Sequence, residues 1–151
     1  MADEVSLEER LRKVEDTLEI QRIVNDYGRF LDEGDFESFA ELFAENGEIL
    51  LGPMARAKGR AEVRRAMEAA VPGPYGASFH IIGTPMVELA GDSATSEVMW
   101  TVVRRRDDGT PLVSMIGRHR DDLVREAGRW RIQRRRGFVD IPSAVPEREK
   151  S

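Results

Sequence analysis

The sequence predicts an α+β domain in which N-terminal helices pack against one curved antiparallel sheet. Apolar residues recur at helical spacing in the first half of the chain, and from Ser78 onward their period changes from 3.6 to 2. Helices and hairpin-connected strands that are segregated in this way are typical of the α+β class. The 151 residues suffice for one domain with a hydrophobic core. We therefore expect a single domain over residues 1–141 and a flexible tail over residues 142–151.

The first helix is predicted to begin after Ser6, because Ser6 and Glu9 stand at the spacing of a capping box. Its apolar stripe changes phase near Thr17, which predicts a bend or a break. The helix should end at Gly34, and Asp35 can cap a second, short helix. This second helix has an aromatic face, formed by Phe36, Phe39, Ala40 and Phe43.

The remaining elements follow from their apolar period and from the turns between them. A short strand over Glu48–Leu51 precedes a third helix over Gly59–Ala70, which ends at a Pro-Gly-Pro turn. Glycine-containing hairpin turns then divide the alternating region. The four predicted strands are Ser78–Glu88, Ser93–Arg106, Thr110–Val124 and Arg129–Asp140.

Composition argues against several classes of function. The chain has no cysteine, no HExxH pattern or His cluster, and no Gly-rich phosphate loop, so we expect neither a metal nor a cofactor. The net charge of −5, together with arginine triplets that strand alternation splits between two faces, argues against nucleic-acid binding. Short apolar runs and an acidic N-terminal segment predict no membrane association and a cytoplasmic location.

His80 and Asp32 are the first candidates for catalytic residues. His80 stands at the start of the first long strand among apolar residues, and histidine titrates near neutrality. The alternative is a core histidine bonded to a backbone carbonyl. Asp32 closes the first helix, where the partial negative charge of the helix end disfavours a carboxylate. If Asp32 pairs with His80, it fixes the imidazole tautomer and stabilises the protonated ring.

Other side chains are candidates for the wall of a pocket. Trp100 shares a strand face with Val98 and Val102, where a core role competes with pocket lining, and His119 is interpreted as structural. One strand arginine could donate to a substrate oxygen, since a guanidinium keeps its charge when partly buried. The candidate arginines are Arg118, Arg134 and Arg136. The expected apolar lining comprises Phe30, Phe39, Phe43, Trp100 and Met115.

A series of short motifs runs from about Leu7 to Asp140. They are Ile23-Val24-Asn25-Asp26-Tyr27, Leu31-Asp32-Glu33-Gly34-Asp35-Phe36, Leu42-Phe43-Ala44, Gly59-Arg60, Phe79-His80, Gly91-Asp92-Ser93-Ala94, Gly117-Arg118-His119-Arg120-Asp121 and Gly128-Arg129-Trp130-Arg131-Ile132. Their order and spacing resemble the SnoaL-like branch of the nuclear-transport-factor-like α+β cone superfamily. The resemblance implies a cone-shaped pocket between the helices and the sheet.

The resemblance also implies an activity. Bile-acid dehydratases and hexachlorocyclohexane dehydrochlorinases of this superfamily use an Asp–His dyad at the positions of Asp32 and His80. The dehydratases have a Tyr five residues before the Asp, as Tyr27 is here, whereas the dehydrochlorinase has a Lys. A cofactor-independent lyase of dehydratase type is implied, acting on an apolar steroid- or polyketide-like molecule that Trp100 and Arg118 would contact together with Phe30 and Met115.

Two other kinds of function stay open at the level of sequence. The same dyad would serve an isomerase or a polyketide cyclase, and some members of the superfamily are non-catalytic ligand carriers or oxygenase-assembly subunits. One apolar sheet face also needs cover, as the alternation of Val103, Val113 and Met115 indicates. We therefore expect a homodimer or a homotrimer.

Overall fold

Three helices pack against one curved seven-stranded sheet in the computed structural model, which describes residues 5–71 and 73–143. The helices are α1 (Leu7–Glu33), α2 (Phe36–Glu41) and α3 (Arg60–Ala70). The strands are β1 (Phe43–Leu50), β2 (Arg56–Lys58), β3 (Ser78–Ile82), β4 (Met86–Ala90), β5 (Ser93–Arg105), β6 (Pro111–Glu126) and β7 (Arg129–Ile141). The predicted α+β class is confirmed, and residues 144–151 of the predicted tail lie outside the described residues.

The sheet has the strand order β2-β1-β7-β6-β5-β3, with β4 also paired to β5. All pairs are antiparallel except β1 with β7, so the sheet is mixed rather than purely antiparallel. Hairpins join β5 to β6 and β6 to β7, so the second edge of β7 has no hairpin partner. β1, which begins directly after α2, pairs with this edge and runs parallel to β7. Among the described residues, no helix has the length and hydrophobicity needed to cross a bilayer.

The helix α1 is continuous over 27 residues, so the predicted break near Thr17 is wrong. Its ends are as predicted, with a capping box between Ser6 and Glu9 and a left-handed Gly34 after the last turn. The phase shift instead marks the point along α1 where the apolar stripe changes from exposed to buried. The first stripe is exposed and comprises Leu7, Leu11, Val14 and Leu18. The second stripe is buried and comprises Ile20, Ile23, Val24, Tyr27 and Leu31.

Several predicted boundaries differ from the structure. Phe43 begins β1 instead of closing α2. The predicted strand Ser78–Glu88 is two strands, β3 and β4, which pair with successive parts of β5. The chain breaks between them at Pro85, which has no N–H to donate to a ladder. The strand β2 was not expected, because three residues are too few to show an alternation.

Close packing of α1 against β3 positions the site. A Cβ on Gly28 would lie 2.9 Å from Cγ1 of Ile82 and 3.1 Å from Cβ of His80. Only glycine therefore lets the helix and the strand approach this closely. Gly28 stands one turn before Asp32, so the same contact brings the end of α1 against His80.

Candidate active site

Asp32 and His80 form a directly bonded pair at the contact between α1 and β3. Nδ1 of His80 lies 2.7 Å from Oδ1 of Asp32, and the backbone N–H of His80 donates to Oδ2 at 2.9 Å. Both side chains are largely buried, with 11% of Asp32 and 14% of His80 exposed. The Asp32–His80 pair that the sequence suggests is therefore present. The ring bonds a carboxylate and not the backbone carbonyl of the alternative interpretation.

The bond to Asp32 determines which nitrogen of His80 can accept a proton. A carboxylate that accepts from Nδ1–H fixes the tautomer in which the lone pair lies on Nε2. The same carboxylate stabilises the imidazolium that forms when Nε2 takes up a proton. His80 lines a cavity of about 430 Å³, whereas Asp32 stands behind the ring and outside the cavity lining. The pair can therefore act as a general base toward a molecule in this cavity.

The cavity is lined mainly by apolar side chains from α1, α3, the sheet and the segment after β1. Its apolar lining includes Leu31, Leu51, Met54, Met67, Val71 and Val102. Five sequence-predicted residues also line it: Tyr27, His80, Trp100, Met115 and Arg118. The volume lies in the usual range for small-molecule sites.

Three predicted lining residues lie elsewhere. Phe30 is partly buried beneath the guanidinium of Arg29, which stands 4.5 Å from its ring centroid. It lies outside the cavity because Tyr27 and Leu31 are the residues of α1 that face it. Phe39 and Phe43 are fully buried and pack behind Tyr27, outside the lining.

Tyr27 is a buried phenol in the cavity wall. Its ring meets His119 edge to face, with the two centroids 5.1 Å apart. On its other side the guanidinium carbon of Arg135 lies 3.9 Å from the ring centroid. Burial raises the pKa of Tyr27 to about 12, so the hydroxyl is a hydrogen-bond donor at neutral pH. Tyr27 lines the cavity directly. Asp32, five residues later on α1, lies outside the lining and contacts the cavity only through its hydrogen bond to His80.

Arg135 is a functional candidate that sequence reasoning missed. It is fully buried and bonds Asp121 through Nε at 2.7 Å and Nη2 at 2.5 Å. Alternation from Trp130 and Ile132 would turn Arg134 inward. A register shift leaves Gln133 without a partner on β6, so the phase of β7 changes and Arg135 points inward instead. No feature of the sequence alone marks this bulge.

Of the three predicted arginines, Arg118 is the one that lines the cavity. Its guanidinium makes a two-point ion pair with Asp140 at 2.8 and 2.9 Å and remains partly exposed. Arg134 and Arg136 lie outside the lining, where Arg134 pairs with Glu48 and Arg136 pairs with Asp122. Arg118 is thus the candidate cation for a substrate oxygen.

His119 also lines the cavity, with its ring centroid 5.4 Å from that of Trp100. Burial lowers the pKa of His119 well below its ordinary value, and the nearby positive charge of Arg135 acts in the same direction. The ring is therefore neutral at physiological pH. Within the described part of the chain, no group of three or more His, Asp or Glu side chains is arranged to hold a metal ion.

Comparisons with known proteins agree with this fold. The family model of the SnoaL-like domain matches residues 12–136. An uncharacterised Mycobacterium tuberculosis protein is 28% identical over 125 residues, which cover 82% of this chain and 84% of the relative.

Solved structures give the same result. An NTF2-like protein with a cystatin-like fold from Novosphingobium aromaticivorans superposes with a TM-score of 0.83 at 30% identity, over 95% of each chain. A candidate scytalone dehydratase from the same species has a TM-score of 0.72 at 21% identity, over 85% of this chain and 87% of that one. This second likeness concerns the fold alone. The family model and the 30% identical structure together show that the chain belongs to the SnoaL-like domain family.

Proposed function

We propose that the protein is a cofactor-independent lyase of dehydratase type that acts on an apolar steroid- or polyketide-like molecule. The observation that carries the proposal is the 2.7 Å contact between Asp32 and His80 at the wall of a mainly apolar cavity. A base oriented by a carboxylate, facing a cavity of about 430 Å³, suits proton removal from a bound organic molecule.

In the proposed mechanism, Nε2 of His80 removes a proton from a carbon that a neighbouring carbonyl activates. The electron pair of the broken C–H bond forms the alkene, and the C–O bond of the departing hydroxyl breaks. Tyr27 or Arg118 donates a hydrogen bond to this hydroxyl, which then takes the proton from His80 and leaves as water. Asp32 balances the transient imidazolium. Acid–base assistance of this kind contributes about 10²–10⁴-fold, and positioning in the cavity contributes the remainder.

The first prediction tests the dyad by substitution. His80→Ala and Asp32→Asn should each lower kcat by about 10²–10⁴-fold, because the pair acts mainly on the transition state. The assay follows alkene formation over a panel of hydroxylated steroid and polyketide acyl compounds. Asp108→Asn, in the turn before β6, is the matched carboxylate control and should retain activity. Near wild-type kcat in His80→Ala would show that the base lies elsewhere.

The same panel distinguishes the alternative functions. An isomerase or cyclase using the dyad would exchange deuterium at the activated carbon, or rearrange the substrate, without release of water. A carrier or assembly subunit would bind compounds without turnover, and the dyad variants would change affinity only modestly. Alkene formation that depends on both Asp32 and His80 would support the lyase.

We also propose that a second copy of the chain covers the outer face of the sheet. This face carries Phe79, Val103 and Val113, which stand side by side on β3, β5 and β6. Phe79 is 39% exposed and Val113 is 58% exposed. Met115 does not belong to this face, because a register shift at Ser114 turns it into the cavity.

The second prediction is that the protein forms a homodimer or homotrimer and that Val113→Lys weakens this assembly. A charge placed among apolar side chains at a buried interface is unfavourable. Light scattering at micromolar concentration measures the mass. Thr95→Lys, on the same side of β5 but outside this patch, is the control. A mass of 17.1 kDa for the unaltered chain would count against the assembly.

A further inference from the structure

The exposed apolar side chains at the start of α1 have the spacing of a coiled coil. They follow one another at intervals of four, three and four residues, and each is more than half exposed. These intervals are the a/d spacing of a heptad repeat, and every position holds leucine or valine. We use the name exposed stripe for these four side chains: Leu7, Leu11, Val14 and Leu18.

The exposed stripe points away from the core of its own domain. Leu18 and the buried Tyr27 are nine residues apart, about two and a half turns of an ideal helix, so they lie on opposite faces of α1. Every residue from Leu7 to Glu15 is exposed. An isolated helix of this length is marginal in water, and most helices are stabilised by the packing of an apolar face. A partner on the exposed stripe would supply this packing.

The charges beside the stripe favour a second copy of the chain, aligned in parallel, as this partner. With Leu11 at heptad position a, Arg10 stands at g and Glu15 at e. In a parallel pair, a g residue meets the e residue five positions later on the other helix, so Arg10 of each copy meets Glu15 of the other. An antiparallel pair would instead bring e residues together, with Glu8 facing Glu15. The parallel pair is therefore attractive where the antiparallel pair is repulsive.

Both charges are available for contacts between two chains. Neither Arg10 nor Glu15 has an ion-pair partner within the described part of the chain. They cannot pair with each other on one helix, because side chains that meet there stand three or four positions apart. Their charges therefore complement each other only between two copies.

We propose that the exposed stripe packs in parallel against the same stripe of a second copy, with Arg10 of each copy paired with Glu15 of the other. This interface lies on α1 and is separate from the patch on the outer face of the sheet. It goes beyond the proposed function, since it does not depend on what the cavity binds or converts.

Single cysteines test the alignment, since the chain has no cysteine of its own. Leu7→Cys and Leu18→Cys stand at the two ends of the stripe. With oxidised glutathione as the oxidant, each variant alone should form a disulfide-linked dimer, because a parallel pair brings identical positions together. Lys13→Cys, exposed on the same helix but off the stripe, is the matched control. It should link about tenfold more slowly, since it lacks the raised effective concentration of a second thiol. Non-reducing gel electrophoresis measures the linked fraction.

Exchange of charges tests the pairing of Arg10 with Glu15. In the Leu7→Cys background, Arg10→Glu and Glu15→Arg should each reduce the rate of linkage several-fold, because each places like charges at the interface. The double variant Arg10→Glu with Glu15→Arg should restore the rate. An effect on helix stability within one chain would not give this restoration, since the two side chains do not meet there.

The remaining outcomes separate this interface from others. Linkage that requires a mixture of Leu7→Cys and Leu18→Cys would show an antiparallel pair and overturn the proposal. Equal rates for Leu7→Cys and Lys13→Cys would overturn it as well. Val113→Lys in the Leu7→Cys background should retain most of the linkage, and its loss there would show that the stripe is no separate interface. Circular dichroism of each variant verifies that the helix is retained.

Discussion

The protonation of the His119 side chain is coupled to the stability of the fold. Its pKa in the folded chain lies well below the ordinary value of 6.5, first because of burial and then because of the charge on Arg135. The unfolded chain therefore binds more protons than the folded chain as the pH falls through 6.5. The resulting stability is present above this pH and is lost as the pH falls toward the folded-state value.

The third prediction follows from the direction of this pH dependence. The free energy of unfolding should decrease between about pH 7 and about pH 5, and His119→Phe should show a smaller decrease, since Phe has no proton to gain. Urea unfolding at a series of pH values measures both curves. His80 is present in both proteins, so their difference isolates His119. Parallel curves would contradict the prediction.

The site residues that could be predicted from the sequence are the ones that stand at the end or the beginning of a helix or strand. Asp32 closes a capped helix and His80 begins a strand, and both locations follow from local patterns. Arg135 could not be predicted, because its inward direction depends on the register shift at Gln133. Met115 shows the same limit, since its placement follows from the shift at Ser114. A bulge reverses strand alternation, and its position depends on the register between the two paired strands, which the pattern of either strand alone does not show.

At the scale of elements, the contact between α1 and β3 determines the geometry of the dyad. At Gly28 the two elements lie so close that an added Cβ would stand 2.9 Å from Cγ1 of Ile82. A larger side chain there would separate the helix end from the strand that carries His80. The dyad should thus depend on a glycine that takes no part in the chemistry.

The fourth prediction concerns this glycine. Gly28→Ala should lower kcat/KM and destabilise the protein by about 1–3 kcal/mol, because the added carbon overpacks the contact. Gly34→Ala is the matched control. Its left-handed backbone disfavours alanine, but nothing lies within 4 Å of an added Cβ. This control should lower the melting temperature and leave kcat/KM unchanged. Equal loss of kcat/KM in both variants would contradict the role of Gly28.

The elements themselves were predictable wherever a local signal marks them. Capping residues located α1, and glycine turns separated β5, β6 and β7. The parallel pairing of β1 with β7 was not predictable, since it joins strands that are distant in the chain. The phase shift of the apolar stripe in α1 could be read from the sequence, but its structural cause could not. Periodicity shows that a helix has two apolar faces, whereas only the structure shows that the first remains exposed.

At the scale of the whole molecule, a buried ion pair holds the centre of the domain. Arg135 and Asp121 are both fully buried on β7 and β6, and Ser96 of β5 donates to Asp121 at 3.3 Å. The guanidinium also covers the ring of Tyr27 on α1. One charged pair therefore joins three strands and the long helix.

The fifth prediction tests this pair. Asp121→Asn leaves the charge of Arg135 buried without a counter-ion and should cost about 3–5 kcal/mol of stability. The double variant Asp121→Leu with Arg135→Met removes both charges and should be more stable than the single variant. Denaturant unfolding measures both. A single variant as stable as the unaltered protein would show that water reaches Arg135.

The Asp32–His80 contact has a consequence for how the protein acquires its proposed activity. The two residues are 48 positions apart in the chain, so their contact requires closure of a long loop. Neither α1 alone nor the hairpins of the sheet can assemble the pair. Folding that depends on such non-local contacts is slower than helix formation. During refolding, turnover should return only after the helical signal has recovered, which would make catalysis a reporter of completed tertiary structure.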